Sequence, residues 1–190
     1  EAELQRVREG LVNSEDHLVL PLDLADSSAM PAAVEAVRNR FDRLDQVIHN
    51  GGISQRSLVA DTDLEVDRRI MEVNFFGAVA LTKAVLPWLK EQGSGRFVVV
   101  TSLVGELPTP LRSAYSASKH ALHGFFEALR AEVEEAYGIG VSVILPGSVR
   151  TAIASNALEG SGAARGRSDA NIDNGIDPND AAKTILDSLA

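Results

Sequence analysis

The stretch RFVVVTSLVGELPTPLRSAYSASKHALHGFFEALRAEVEEAYGIGVSVILPG (residues 96–147) reads as strand, loop, helix and strand in succession. RFVVVTS (96–102) is an apolar run of strand length that closes on two hydroxyl residues. Pro108 and Pro110 mark 103–114 as a loop, and a helical pattern runs from about Tyr115 to Tyr137, where Gly138 and Gly140 end it. GVSVILPG (140–147) is a second apolar run. Apolar strand, long helix, apolar strand is a parallel βαβ unit whose strands are covered on both faces.

Working upstream, DQVIHNGG (45–52) predicts another strand that stops at a glycine pair. HLVLPLD (17–23) reads as a buried strand, although Pro21 restricts its pairing. Leu4, Val7 and Leu11 fall at helical spacing. Asp26, Ser27 and Ser28 offer N-caps for a helix through Phe41 with Met30, Val34 and Val37 on one face. Thr62 with Glu65 predicts a capping box for a helix that continues through Asn74 to Glu91, bent near Pro87. Downstream, 154–176 is rich in Gly, Ser, Ala, Asn and Asp and reads as a mobile loop or lid, with a helix over 177–190. The expected fold is α/β, a doubly wound parallel sheet in one partial domain over 1–190, with 152–176 on the substrate side.

Composition narrows the partners. The chain has 190 residues, no cysteine and a formal net charge of −9, so disulfides, thiolate metal sites and Cys nucleophiles are excluded. That charge argues against nucleic acid or an anionic membrane as the main partner. No uninterrupted apolar run approaches the roughly 20 residues of a membrane span, so no membrane segment is expected. The charged start EAELQRVREGL is unlike a signal peptide, which makes the cytoplasm the expected location. His17, His49, His120 and His123 lack zinc-motif spacing. His120 and His123, with no carboxylate partner evident, are expected to be structural. No Gly-x-Ser-x-Gly elbow surrounds Ser102, which disfavours a hydrolase.

Ligands of open parallel sheets bind beyond the carboxyl ends of the strands. The four candidate strands end at Asp23, Asn50-Gly51-Gly52, Thr101-Ser102 and Pro146-Gly147, all small or polar. Tyr115 and Lys119 stand at i and i+4 on one helix face, 13 and 17 residues after Ser102. A unit charge about 4.5 Å from a phenol, at an effective dielectric of about 20, is worth roughly 3.7 kcal/mol, or roughly 2.7 pKa units. Lys119 is therefore expected to bring Tyr115 toward the working range of a general acid/base, with Ser102 donating to a substrate oxygen.

These motifs together resemble the short-chain dehydrogenase/reductase family. HNGG (49–52), Asn74 in MEVNFFG, TSLVGELPTPLRSAYSASK (101–119) and PGSVRT (146–151) are similar to the family's elements in order and spacing. NFFGAVALTKAVLPWLK and RSAYSASKHALHGFFEALRAEV resemble the dehydrogenase/reductase member 7 subgroup. The resemblance implies an NAD- or NADP-dependent oxidoreductase acting on a small alcohol or carbonyl, and a homo-oligomer. It implies that Tyr115 exchanges the proton and that Lys119 lowers the Tyr115 pKa and holds the nicotinamide ribose. Ser102 would hold the substrate oxygen, and the Asn74 backbone would anchor a proton-relay water. Asp23 and Leu24 would contact adenine, with Asn50, Gly51 and Gly52 along the adenosine. Pro146, Gly147, Val149 and Thr151 would border the nicotinamide.

Leu103, Val104, Leu107, Leu111 and Ile153 hint at an apolar substrate pocket. His49 and Gly51 depart from the family's Asn and Ala. No strand with a Gly-rich turn opens the chain, so the fold is expected to be incomplete. Its first two strands and last strand would be absent, with about 35–45 residues missing in front. Strand 17–23 would then lack neighbours, and isolated 1–190 would bind dinucleotide weakly or not at all. The alternatives are a binding or regulatory protein that kept the scaffold without catalysis, or an inert fragment of the enzyme.

Overall fold

The computed structural model describes residues 2–189. In chain order the elements begin with α1 (Ala2–Glu9), α2 (Met30–Arg40), β1 (Gln46–His49) and α3 (Leu64–Met71). A π-helical turn (Glu72–Phe76) leads into α4 (Gly77–Gln92), then β2 (Gly95–Val100), α5 (Ser113–Tyr137) and β3 (Ile139–Ile144). Two short helices follow, α6 (Ala170–Asp173) and α7 (Pro178–Asp187). The three strands form one parallel sheet in the order β1-β2-β3, with Gln46 opposite Arg96 and Gly95 opposite Ile139.

The expected βαβ unit is present as β2-α5-β3. β2 is central, and Phe97, Val98 and Val99 are wholly buried although they alternate between faces. On one face, Phe97 and Val99 join Val85 and Leu89 of α4 and Leu122, Phe126 and Val133 of α5 in the main core. α5 stops where Gly138 adopts φ 65°, a left-handed C-cap that donates its N–H to Glu134 and Val133 carbonyls. β1 begins where Gln92 braces it, accepting from Leu44 N at 3.1 Å and donating to Leu44 O at 3.0 Å.

Three expectations change. Residues 17–23 carry no regular structure instead of a strand. β1 pairs with β2 alone among the described residues, so no ladder waits beside 17–23, and Pro21 has no N–H to give one. Leu20 and Leu22 instead help line an apolar hollow of about 300 Å³ beside β1, with Val34, Val47 and Trp88. The Thr62–Glu65 capping box does not form. A 3-10 turn over Val59–Asp61 draws the Thr62 hydroxyl back to donate to Leu58 O at 2.7 Å, and Asp63 takes the N-cap position. The helix also changes path at the π turn around Asn74, while Pro87 lies inside α4 without ending it.

The continuous helical run Leu64–Gln92 is, by length and composition, long and apolar enough to cross a membrane, with mean hydropathy 1.3 in its best window. Its apolar residues are spent inside the fold: Val85 and Leu89 are buried in the main core with the sheet, and Ile70 in a second cluster with Val66 and Ala114. Segment 154–176, expected as a mobile loop, is fastened by bridges that pair Leu158 with Gln55 and Ala164, and Ile176 with Val149.

Candidate active site

The carboxyl ends of the strands open on a cleft of about 500 Å³. After β2, Thr101 N donates to Ile144 O at 2.8 Å, which keeps the strand tip beside β3. Ser102 leaves that tip in extended conformation and lines the cleft. The chain returns through a 3-10 turn to α5, whose first turn carries Tyr115.

Gln55, fully buried, fixes where that turn sits. Its Oε1 accepts from Tyr115 N at 2.9 Å and its Nε2 donates to Ser113 Oγ at 3.0 Å. A first-turn N–H has no partner within its own helix, so a buried side-chain acceptor from the β1 loop both satisfies it and orients the helix start.

One helical turn further on, the Lys119 ammonium donates to Val100 O at 2.9 Å and lies 5.7 Å from the centre of the Tyr115 ring. Burial pulls the Lys119 pKa down to about 8. The Tyr115 phenol is displaced the other way from expectation. Burial raises its pKa, and the opposing pull of the Ser102 hydroxyl and of the Arg56 and Arg112 charges does not overcome this. The expected lowering by Lys119 is not found: its ammonium lies by the ring against Val100 O, and desolvation of the phenol dominates.

Asn74 sits in the π turn, 2% exposed, and its side chain is consumed by bracing. Its Oδ1 accepts from Ile53 N at 2.8 Å, and its Nδ2 donates to Ile53 O and to Ser118 Oγ, both at 2.9 Å. His49 is buried against Phe97 and Phe126, shares a 2.9 Å hydrogen bond with Thr82, and is pushed down to a pKa of about 4 by burial. His123 does have a carboxylate partner: it spans Thr101 Oγ1 at 2.8 Å and Glu106 Oε1 at 2.9 Å. The loop folds Glu106 back over α5, which spacing alone could not show.

A family model described as short chain dehydrogenase matches residues 1–161. The chain belongs to that family. It is 44% identical over 194 residues to the dehydrogenase/reductase SDR family protein 7-like of Anopheles gambiae, covering 99% of this chain and 61% of that one. The chain therefore spans about three-fifths of the length of that curated relative. A short-chain dehydrogenase from Streptomyces avermitilis superposes with a TM-score of 0.78 at 32% identity, over 90% of this chain and 65% of that one. A gluconate 5-dehydrogenase from Burkholderia cenocepacia J2315, in complex with NADP and tartrate, superposes with a TM-score of 0.67 at 25% identity. That match covers 70% of this chain and 51% of the other.

The residues anticipated from sequence divide in two. Asn50, Gly52, Ser102, Tyr115, Lys119, Pro146, Gly147, Val149 and Thr151 all line the cleft. Asp23, Leu24, Gly51 and Asn74 do not. Asp23 Oδ1 accepts from Ala25 N at 2.9 Å and shapes its own turn. Gly51 is small because Leu24 lies against it: a Cβ there would stand 2.6 Å from Leu24 Cδ1. Leu103, Val104 and Ile153 reach the cleft, whereas Leu107 and Leu111 are exposed away from it.

Ser54, Arg56 and Arg112 also line the cleft and were not anticipated. Beneath them Asp169 takes Arg56 Nε at 2.6 Å, Arg165 Nη1 at 2.5 Å and Arg112 Nη2 at 3.4 Å. Burial alone would raise the Asp169 carboxyl, and the hydrogen bonds from Arg56 and Arg165 more than reverse it, leaving its pKa below the ordinary value. The position of Ser54 and Arg56 on the rim just past β1 was a usable signal. Asp169, over a hundred residues away, gave none.

Proposed function

We propose that this chain carries the catalytic centre of an NAD- or NADP-dependent oxidoreductase that interconverts an alcohol and a carbonyl. The observation that supports it is the meeting of Ser102, Tyr115 and Lys119 on one cleft at the carboxyl rim of a parallel sheet.

The donor set suits the nicotinamide ribose end of a dinucleotide. An ammonium has three N–H donors, and Lys119 gives one to Val100 O, which leaves others for ribose hydroxyls beside Gly52. Pro146, Gly147, Val149 and Thr151 provide a wall for the ring. A bound nicotinamide supplies the hydride acceptor or donor.

The remaining steps belong to the chain. Ser102 donates to the substrate oxygen and fixes it beside the Tyr115 hydroxyl. Tyr115 is protonated at neutral pH, so in carbonyl reduction it gives its proton to the oxygen as charge develops there. In alcohol oxidation its ionised form takes that proton. Asn74 and Gln55 hold the two walls in position without touching substrate.

Turnover of aldehydes and ketones by the complete protein, followed by absorbance of the reduced nicotinamide, tests this. Tyr115→Phe is expected to lower kcat by about 10²–10⁴-fold with dinucleotide affinity retained. Wild-type activity in Tyr115→Phe would refute the role of the phenol. Dinucleotide binding with no turnover of any carbonyl by the wild type would favour a non-catalytic scaffold instead.

A further inference from the structure

We propose that the substrate end of the cleft is an oxyanion site, in which Arg56 and Arg112 receive a carboxylate or phosphate carried by the substrate near its reacting carbonyl. This names a substrate class and rests on the oxidoreductase reading for which atom reacts, but the anion site itself can be measured without turnover.

The charge distribution carries the inference. The chain has a net charge of −9, yet the charged residues that line the cleft are Arg56, Arg112 and Lys119, all cations. Lys119 belongs to the ribose end. At the other end Asp169 faces the guanidinium groups of Arg56, Arg112 and Arg165 together. The side chains of Arg56, Arg165 and Arg112 are only 6%, 12% and 16% exposed. One carboxylate cannot balance three guanidinium groups. Uncompensated charge so poorly hydrated is expensive, and it is characteristic of a site awaiting a counter-charge.

Hydrogen bonding separates the two arginines. Arg56 is firmly built in: Nε meets Asp169, and Nη1 donates to Ser54 Oγ and Gln55 O, each at 2.7 Å. Arg112 is held loosely, at 3.2 Å from Thr109 Oγ1 and 3.4 Å from Asp169, and its buried Nε has no acceptor among the described residues. Leu111 adopts φ 69° just before it, a conformation costly for a residue with a Cβ, so the position of Arg112 is maintained against backbone strain. Arg56 and Arg165 already fasten segment 152–176 through short contacts to the two oxygens of Asp169, and Arg112, at 3.4 Å, adds little to that fastening. Both arginines line the same cleft as Ser102 and Tyr115, so a group bound to them shares that cleft with the reacting oxygen. A planar guanidinium fork matches the paired oxygens of a carboxylate or phosphate.

Two measurements on the complete protein decide it. The first titrates acetate and, separately, inorganic phosphate at constant ionic strength against a chloride control, following arginine Nε–Hε NMR signals assigned with Arg112→Lys. A saturable shift of the Arg112 signal is expected, and which anion produces it tells carboxylate from phosphate. The second compares kcat/KM for a keto acid or a phosphorylated ketone, as the titration directs, with that of its neutral methyl-ester or unphosphorylated analogue. The anion is expected to be favoured at least about tenfold, the size of one charge-assisted hydrogen bond. Arg112→Gln should cut that ratio by about tenfold, and Arg112→Lys should keep more of it. A flat titration with both anions, or a ratio near one, overturns the proposal. Failure to turn over any carbonyl would instead sink the oxidoreductase reading, and the titration would still decide the anion site.

Discussion

At the scale of single residues, burial governs the chemistry more than pairing does. Tyr115 and Lys119 are one helical turn apart, and spacing alone suggested that the ammonium tunes the phenol. The structure gives the ammonium to Val100 O and raises the phenol by desolvation. The Lys119 pKa of about 8, against 10.5 for a free lysine, has a consequence for stability. Below pH 8 both folded and unfolded chains carry the proton and the fold bears the full cost of a buried charge. Between pH 8 and 10.5 the folded chain sheds its proton first, so the cost fades and is gone above that window. Lys119→Met removes this dependence while leaving the Val100 carbonyl without its donor. Denaturant unfolding of both proteins from pH 7 to 10.5 is expected to show wild type gaining about 3 kcal/mol relative to the variant. A pH-independent difference would refute the charged buried state.

At the scale of elements, two polar side chains set the geometry. Asn74 holds the π turn to the segment after β1 through both backbone groups of Ile53. Asn74→Ala leaves a buried N–H, a C=O and the Ser118 hydroxyl short of partners. A loss of about 2–4 kcal/mol in denaturant unfolding is expected. A loss under about 0.5 kcal/mol, the size of an ordinary surface substitution, would show that water replaces the amide. The βαβ unit and most helices were legible because hydrophobic period and glycine stops are local signals. The cap on α5 was not, since Gln55 and Tyr115 are 60 residues apart in sequence. The capping box at Thr62 shows the converse: a correct local motif lost to a neighbouring turn that bound the same hydroxyl.

At the scale of the molecule, Asp169 fastens segment 152–176 to the rim of the sheet through Arg56. Asp169→Asn leaves poorly hydrated guanidinium groups without a counter-charge. It is expected to cost about 3 kcal/mol and to speed amide exchange across 157–169 selectively. Uniformly unchanged exchange would contradict the latch. In the function proposed above, the described cleft would hold the ribose and nicotinamide end, while no glycine-rich turn at a helix N-terminus is present among the described residues to receive a pyrophosphate. The 190-residue chain is therefore expected to give no saturable calorimetric signal with NAD or NADP at about 1 mM. A micromolar dissociation constant would show that the rim alone suffices.

The sequence by itself determined the parallel α/β class and the placing of Ser102, Tyr115 and Lys119 on one rim. Alternation, helical period and strand-end position are properties of neighbouring residues. Only the tertiary structure decided that residues 17–23 form no strand, that the phenol is raised and not lowered, and that three arginines gather on Asp169. Each of those depends on what lies alongside a group in space: a ladder partner, a depth of burial, or a charge brought from a distant part of the chain.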